Sequence, residues 1–495
     1  MITISDKVLR QRKNFWNNCH FHPTDAIEDA WGKIILDKMA DDGAIKTVRM
    51  YTMFEDIVTK DENNELQYDF RLNDLRIDYM LEKGFDILLT YNFMPDCIAK
   101  NKNTKASVSK NPTRYKGKMI NTSVPEDYTL WEEVCYNYTK HIIERYGIET
   151  VSKWHLLCYN EPDIYVFFMS DLPGTPEYTQ IRMKEYCKLY RAFENGVRRA
   201  SKELLIGGPA LACNFDFLEG FLNYIKEQDL QMNFISVHNY GTNPQALSDG
   251  SCPLTVDNTI KNHEKCLDII RKCGFEDKEI IIDEWGAASM GFFNKDEAPA
   301  LIFRETEVFA AYYAKMICKF IDNELPVSKM LICLSGQHEM VEDFSGFRNF
   351  FTLNFIKKPI YNAYILASKL GDNILSAKYN NENICVTATK NSNGDIAVLI
   401  SYSSEYFEDI PEIEENIEFE EDIEGKNVKI YCIDKFHTNP YEVYKRKGIK
   451  EITEKDIREL RKSGELQPVQ EYTYTTRDKI SLNLSSNAVF MIYVS

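Results

Sequence analysis

Two glutamates stand in settings that suit them to chemistry. Glu161 lies in Asn160-Glu161-Pro162, at the end of the apolar run WHLLCYN (154–160). Glu284 lies in Asp283-Glu284-Trp285-Gly286, closing the run EIIIDEW (279–285). Two facing carboxyl groups can cleave an acetal, one protonating the leaving oxygen while the other works at the anomeric carbon. They then need different surroundings, so that one stays protonated near neutrality and the other is ionised. Taken singly, a glutamate at a strand end is equally explained as a salt-bridge partner or a loop cap; the pair is the specific signal. Pro162 fixes the backbone after Glu161 and removes a donor there. Asn160 can offer its amide to a hydroxyl beside the bond being cleaved. His238 and Tyr240 sit two residues apart on one β-rich run and so share a face. From there they can reach Glu284, orient it and keep it ionised. A satisfied core histidine is the competing explanation for His238.

Such side chains need a frame, and the chain supplies a repeating one. Eight short runs rich in Ile, Val, Leu and aromatics alternate with longer helical stretches between about residues 14 and 355. They are 14–21, 45–51, 86–93, 154–160, 205–211, 234–240, 279–285 and 329–335. Runs of this kind suit strands buried on both faces. Segment 132–147 has apolar residues at three- and four-residue intervals and a closing glycine, as a helix requires. The alternation predicts a (β/α)8 TIM barrel, an α/β fold whose functional groups stand at the C-terminal strand ends. Those ends carry Tyr51, Asn92, Asn160–Glu161, His238–Tyr240, Glu284 and Gln337–His338. A doubly wound open sheet is disfavoured, since no G-x-G-x-x-G follows the first run. The strands bearing Glu161 and Glu284, fourth and seventh in order, then face each other across the barrel mouth.

After about residue 356 the texture changes to period-two alternation with turns such as NSNGD, which predicts a β-sandwich domain over 356–495. Residues 440–464 read as a helical insertion, and residues 1–13 as an added strand of the sandwich. With 495 residues, 44% of them hydrophobic, the chain has ample material for two such units. The net charge of -17 disfavours nucleic acid and anionic membranes as partners. Thirteen cysteines without a C-x-x-C pair read as reduced thiols, and no apolar run reaches the roughly 20 residues of a membrane span. A cytoplasmic enzyme without cofactor is the expectation, with a homo-oligomer left open.

The runs 144–163, GGPAL (207–211), FISVHNY (234–240), IIIDEWG (280–286) and 357–372, with HTNPYEVYKR (437–446), together resemble glycoside hydrolase family 39. The resemblance implies a retaining glycosidase, with β-xylosidases as its best-known members. It makes Glu161 the acid/base, Asn160 its sugar-binding neighbour and Glu284 the nucleophile. His238 and Tyr240 match the family's His-x-Tyr. Three stretches depart from the β-xylosidase pattern. Arg49-Met50-Tyr51 stands for Arg-x-His, LSGQHEMVED (334–343) for Trp-Thr-Phe-Ser-Asp, and CHFHPTD (19–25) for a glycine-rich stretch. Tyr51, His22 and Gln337 thereby become candidate sugar contacts. His20, His22 and His338 match no standard metal-ligand spacing, so hydrogen bonding to sugar is preferred to a metal site. Tyr51 and Trp285 could stack on a sugar or belong to the core. The expected substrate is a short plant-derived oligosaccharide, foremost a β-1,4-xyloside, cleaved from its end. An arabinoside, galactoside or uronide is the alternative, and a non-catalytic carbohydrate binder on the same scaffold a third.

Overall fold

The computed structural model describes residues 1–21, 30–107, 119–212, 214–334, 340, 342–475 and 479–495. Eight parallel strands close into a barrel in which each pairs with the next along the chain and the eighth with the first. They are Asn18–Phe21, Thr47–Tyr51, Asp86–Tyr91, His155–Cys158, Leu205–Leu211, Phe234–Thr242, Glu279–Ala288 and Lys329–Leu334. All eight runs expected from the sequence therefore form the barrel, which is the fold class anticipated. Nearly every residue of these strands is buried, because side chains alternate between the barrel interior and the surrounding helices.

Helices between the strands cover the outer surface. Tyr128–Tyr146 shows why the sequence folds this way. Asp127 accepts a hydrogen bond from the Thr129 N–H and caps its start. Trp131, Val134, Cys135, Tyr138 and Ile142 then form one buried stripe at helical spacing. Each large apolar side chain so buried contributes about 1.5–3 kcal/mol. The chain leaves the helix at Gly147, whose φ of 81° most side chains would resist. Helix Pro359–Ala367 packs Ile360, Tyr361, Tyr364 and Leu366 into the barrel's own core.

The C-terminal strands form one continuous nine-stranded mixed sheet. Its order is Pro468–Thr473, Asn427–Ile433, Ala488–Val494, Ile396–Tyr402, Ile384–Lys390, Asn373–Lys378, Ile2–Gln11, Ile413–Phe419 and Ile480–Leu484. Strand Ile2–Gln11 runs antiparallel to Asn373–Lys378 and parallel to Ile413–Phe419, so the start of the chain completes this sheet. Alternation divides the sheet's faces. Ala397, Leu399, Val489 and Met491 join the barrel's apolar cluster, while Val398, Ile400, Ile430 and Ile492 enter a separate core. Ile2, Ile417 and Leu482 belong to that second core, so the sheet folds over and packs on itself as a sandwich does. Helices Pro440–Lys447 and Glu454–Ser463 interrupt the strand sequence, and Leu460 of the second packs with Phe344 and Ile356. No described helix is long and apolar enough to cross a membrane.

Candidate active site

A cavity of about 560 Å³ opens at the C-terminal ends of the barrel strands, and both Glu161 and Glu284 line it. Glu161 follows the fourth strand with a φ of +45°, and Tyr159 just before it has +64°. Left-handed backbone at such residues costs on the order of 1–3 kcal/mol and persists only where neighbours enforce it. Here the Tyr159 N–H donates to the Tyr91 carbonyl at 3.1 Å and the Glu161 N–H to the Ala210 carbonyl at 3.0 Å. The third and fifth strands thus clamp the turn that presents Glu161.

Glu284 owes its position to an irregularity. Between the sixth and seventh strands Val237 pairs with Ile282, but the next pair is His238 with Glu284, which leaves Asp283 as an extra, bulged residue. Asp283 consequently reaches the barrel interior, its Oδ2 3.3 Å from Arg49 Nη2 and 3.6 Å from His238 Nε2. Arg49, fully buried on the second strand, ties four strands together. Its Nη1 donates to Glu284 Oε1 at 2.7 Å, its Nη2 to Asn160 Oδ1 at 2.7 Å and its Nε to Thr90 Oγ1 at 3.0 Å. Because a guanidinium only donates, the Asn160 oxygen must face it, which leaves the amide nitrogen as the group Asn160 offers to the cavity. Tyr240 donates to Glu284 Oε2 at 2.7 Å and itself accepts from Arg348 Nη1 at 2.8 Å. Tyr51 reaches Glu284 Oε1 at 3.4 Å.

The two carboxyl groups experience opposite fields. Burial raises the Glu161 pKa, and the hydrogen bond to His238 Nδ1 at 2.9 Å only partly offsets this. Burial pushes the same way at Glu284, but His238, Arg49 and Arg348 outweigh it and hold that carboxyl well below the usual range. Burial disfavours a charged His238, yet Glu284 and Asp283 prevail and lift its pKa to about 10. His20, on the first strand, is the reverse case: burial brings it down to about 3, so it is neutral near pH 7. Its Nδ1 lies 3.2 Å from the Arg49 carbonyl, which can only accept, so the proton sits on Nδ1 and the Nε2 lone pair faces Glu284 at 3.8 Å.

Six of the expected residues are therefore brought together: Glu161, Glu284, Asn160, His238, Tyr240 and Tyr51 all line the cavity. One pairing differs from expectation. Tyr240 does hold Glu284, but His238 makes its hydrogen bond to Glu161 and stands 3.6 Å from Glu284. Trp285 is not in the cavity. It points outward between strand and helix, fully buried and stacked on Tyr313 at 5.8 Å, because its neighbour Glu284 takes the inward direction. His22, Gln337 and His338 lie outside the described residues. His20, Glu284 and Cys333 bring potential ligand atoms within 4.8 Å of one another. A cation there would compete with the Arg49 guanidinium already bonded to Glu284. Arg49 and Asp283 were noted only as members of motifs and Arg348 not at all, although an arginine inside the apolar strand TVRMY was an available signal.

A parallel barrel with two oppositely tuned carboxyl groups at its mouth is the architecture of a glycoside hydrolase acting on carbohydrate. The comparisons agree: the model of glycosyl hydrolases family 39 matches residues 2–481, and the chain belongs to that family. A β-xylosidase of Caldicellulosiruptor saccharolyticus is 26% identical over 98% of this chain and 94% of its own. An α-L-iduronidase of Canis lupus familiaris is 23% identical over 48% of this chain and 35% of its own. Among solved structures, a monomeric β-xylosidase from Caulobacter crescentus CB15 superposes with a TM-score of 0.83 at 16% identity, covering 100% of this chain and 99% of that one.

Proposed function

We propose that the protein is a retaining exo-acting β-xylosidase with Glu161 as acid/base and Glu284 as nucleophile. The observation that carries this is the pair itself: a carboxylate oxygen of each lies within 4.8 Å, with the two pKa values driven in opposite directions. That spacing suits direct attack on carbon, since inverting pairs stand roughly 6.5–9.5 Å apart to admit water. In the first step Glu161 gives its proton to the glycosidic oxygen, the bond from that oxygen to the anomeric carbon breaks, and Glu284 bonds to the carbon. The alcohol departs. In the second step ionised Glu161 takes a proton from water, the water oxygen attacks the same carbon, and Glu284 leaves as carboxylate. Two displacements restore the starting configuration.

The β-xylosidase relatives support xylose as the sugar. Exo action is supported by the cavity end beyond Glu284, where His20, Tyr51 and Cys333 are buried. The twelve described cysteines are free, which suits a reducing compartment and short glycosides as the supply. A uronide is the second reading. Arg348 lines the cavity and brings a guanidinium to it, a group suited to a sugar carboxylate, and α-L-iduronidases are among the relatives. A panel of aryl glycosides differing only in the sugar, with NMR detection of the first-formed anomer, tests both readings. Fastest release of β-xylose with retained configuration is expected; an inverted product overturns the mechanism, and preference for a uronide moves the assignment to the second reading.

A further inference from the structure

The cavity has two unlike walls. Around Glu284 it is polar, built by His20, Tyr51, Tyr240 and Arg348 from the first, second and sixth strands and the segment after the eighth. Much of the remaining lining is apolar. Ile164, Val166 and Phe167 follow Glu161 directly in the chain, Phe215 opens the helix after the fifth strand, and Met290 and Phe292 follow the seventh. Among the described residues these side chains are half-buried or exposed. The Phe167 ring is held in place, nearly parallel to Phe93 at 6.4 Å and 14°.

Polar side chains also occur on this wall, and several have one end tied to the backbone. Asn214 and Asn243 cap helices by accepting from the Phe217 and Ala246 N–H groups. Asn239 and Asn262 donate to the carbonyls of Thr259 and Tyr240, and Thr242 to that of Cys252. A sugar ring seated against Ile164, Val166, Phe167 and Phe292 would turn hydroxyls toward side chains that offer no hydrogen bond, which costs free energy. An apolar group would bury its surface at no such cost.

Resting on the proposed function, the geometry points to a specific leaving group. The proton donor must face the leaving oxygen, so the wall that follows Glu161 in the chain receives whatever departs. We propose that the preferred substrates carry an apolar alcohol there, aromatic or bulky aliphatic, rather than a second sugar. The enzyme then removes a single sugar from small lipophilic glycosides, and the step balances as described above, with the alcohol as first product.

The test compares the benzyl β-glycoside with the β-1,4-disaccharide of the sugar that the panel selects. Benzyl alcohol is no better a leaving group than a sugar hydroxyl, so any advantage reflects recognition. We expect kcat/KM for the benzyl glycoside to exceed that for the disaccharide by about 10-fold or more. Phe167→Asn and Phe292→Asn should each bring that ratio down toward one. Either variant suffices if the other fails to fold, and the wild-type ratio stands alone as a test. A disaccharide cleaved as well as or better than the benzyl glycoside overturns the inference while leaving the proposed function intact. So does a ratio unaltered in the folded variants. A protein that cleaves no glycoside at all overturns the proposed function as well.

Discussion

Glu161 and Glu284 are chemically identical side chains a few ångströms apart, yet their surroundings share little. Glu284 is gripped from several strands, by Arg49 and Tyr51 on the second and Tyr240 on the sixth, with Arg348 behind Tyr240. Glu161 sits on a strained turn with one side-chain partner among the described residues, His238. A carboxyl surrounded by fixed donors is stabilised as the anion, and one that is buried with little compensation is stabilised as the acid. The barrel therefore produces a base and an acid from one residue type by varying the number of donors that converge. His238 links the two, touching Glu161 directly and facing Asp283 with its other nitrogen.

The comparison breaks most visibly when either carboxyl is removed. Glu284→Ala should lower kcat by about 10,000-fold or more on every substrate, however good its leaving group, as loss of a nucleophile does. Steady-state rates on a nitrophenyl glycoside and on an unactivated one measure this. Glu161→Ala should cost about 100- to 10,000-fold on unactivated glycosides. Its first step on a nitrophenyl glycoside should be nearly intact, and azide should restore turnover with a glycosyl azide of retained configuration. If unactivated substrates are cleaved as fast as by wild type, the acid lies elsewhere.

Changing the charged neighbours should shift the contrast rather than abolish it. Arg49→Met takes a cation from Glu284, so its pKa must climb. Because Glu284 has to be ionised, the acid limb of kcat/KM should move to higher pH, and stability should fall by about 3–5 kcal/mol from the broken buried pair. A pH profile and a denaturant titration read the two effects separately. Asp283→Asn should act on the other limb. Without that charge His238 is less cationic, Glu161 loses an interaction that favours its anion, and the basic limb should move to higher pH. An unmoved basic limb would show that the bulged carboxylate is not felt at Glu161. Trp285→Phe is the smallest change for catalysis: since Trp285 packs on Tyr313 away from the cavity, the sugar profile should stay constant while the melting temperature drops.

Much of this was legible in the chain. Each of the eight apolar runs became a barrel strand, because buried parallel strands need continuous apolar sequence and their ends mark the functional face. Strand-end position brought Glu161, Asn160 and Tyr240 to notice, and all three line the cavity. The errors have different causes. Period-two reasoning assigns one inward direction per alternate residue, and the bulge at Asp283 breaks that rule, placing Asp283 and Glu284 both toward the interior. Trp285 looked like a sugar platform only because its neighbour was rightly placed at the mouth.

The sequence by itself determined the strand count, the two carboxyl groups and the self-packing C-terminal sheet, since these depend on local alternation and on residue type. Only the tertiary structure decided how the fields at the two glutamates differ, which partner His238 takes, and that Arg49 holds the centre together. Those outcomes depend on distances between side chains far apart in the chain. Arg49 and Glu284 meet at 2.7 Å across the barrel, and no pattern along the backbone carries that distance.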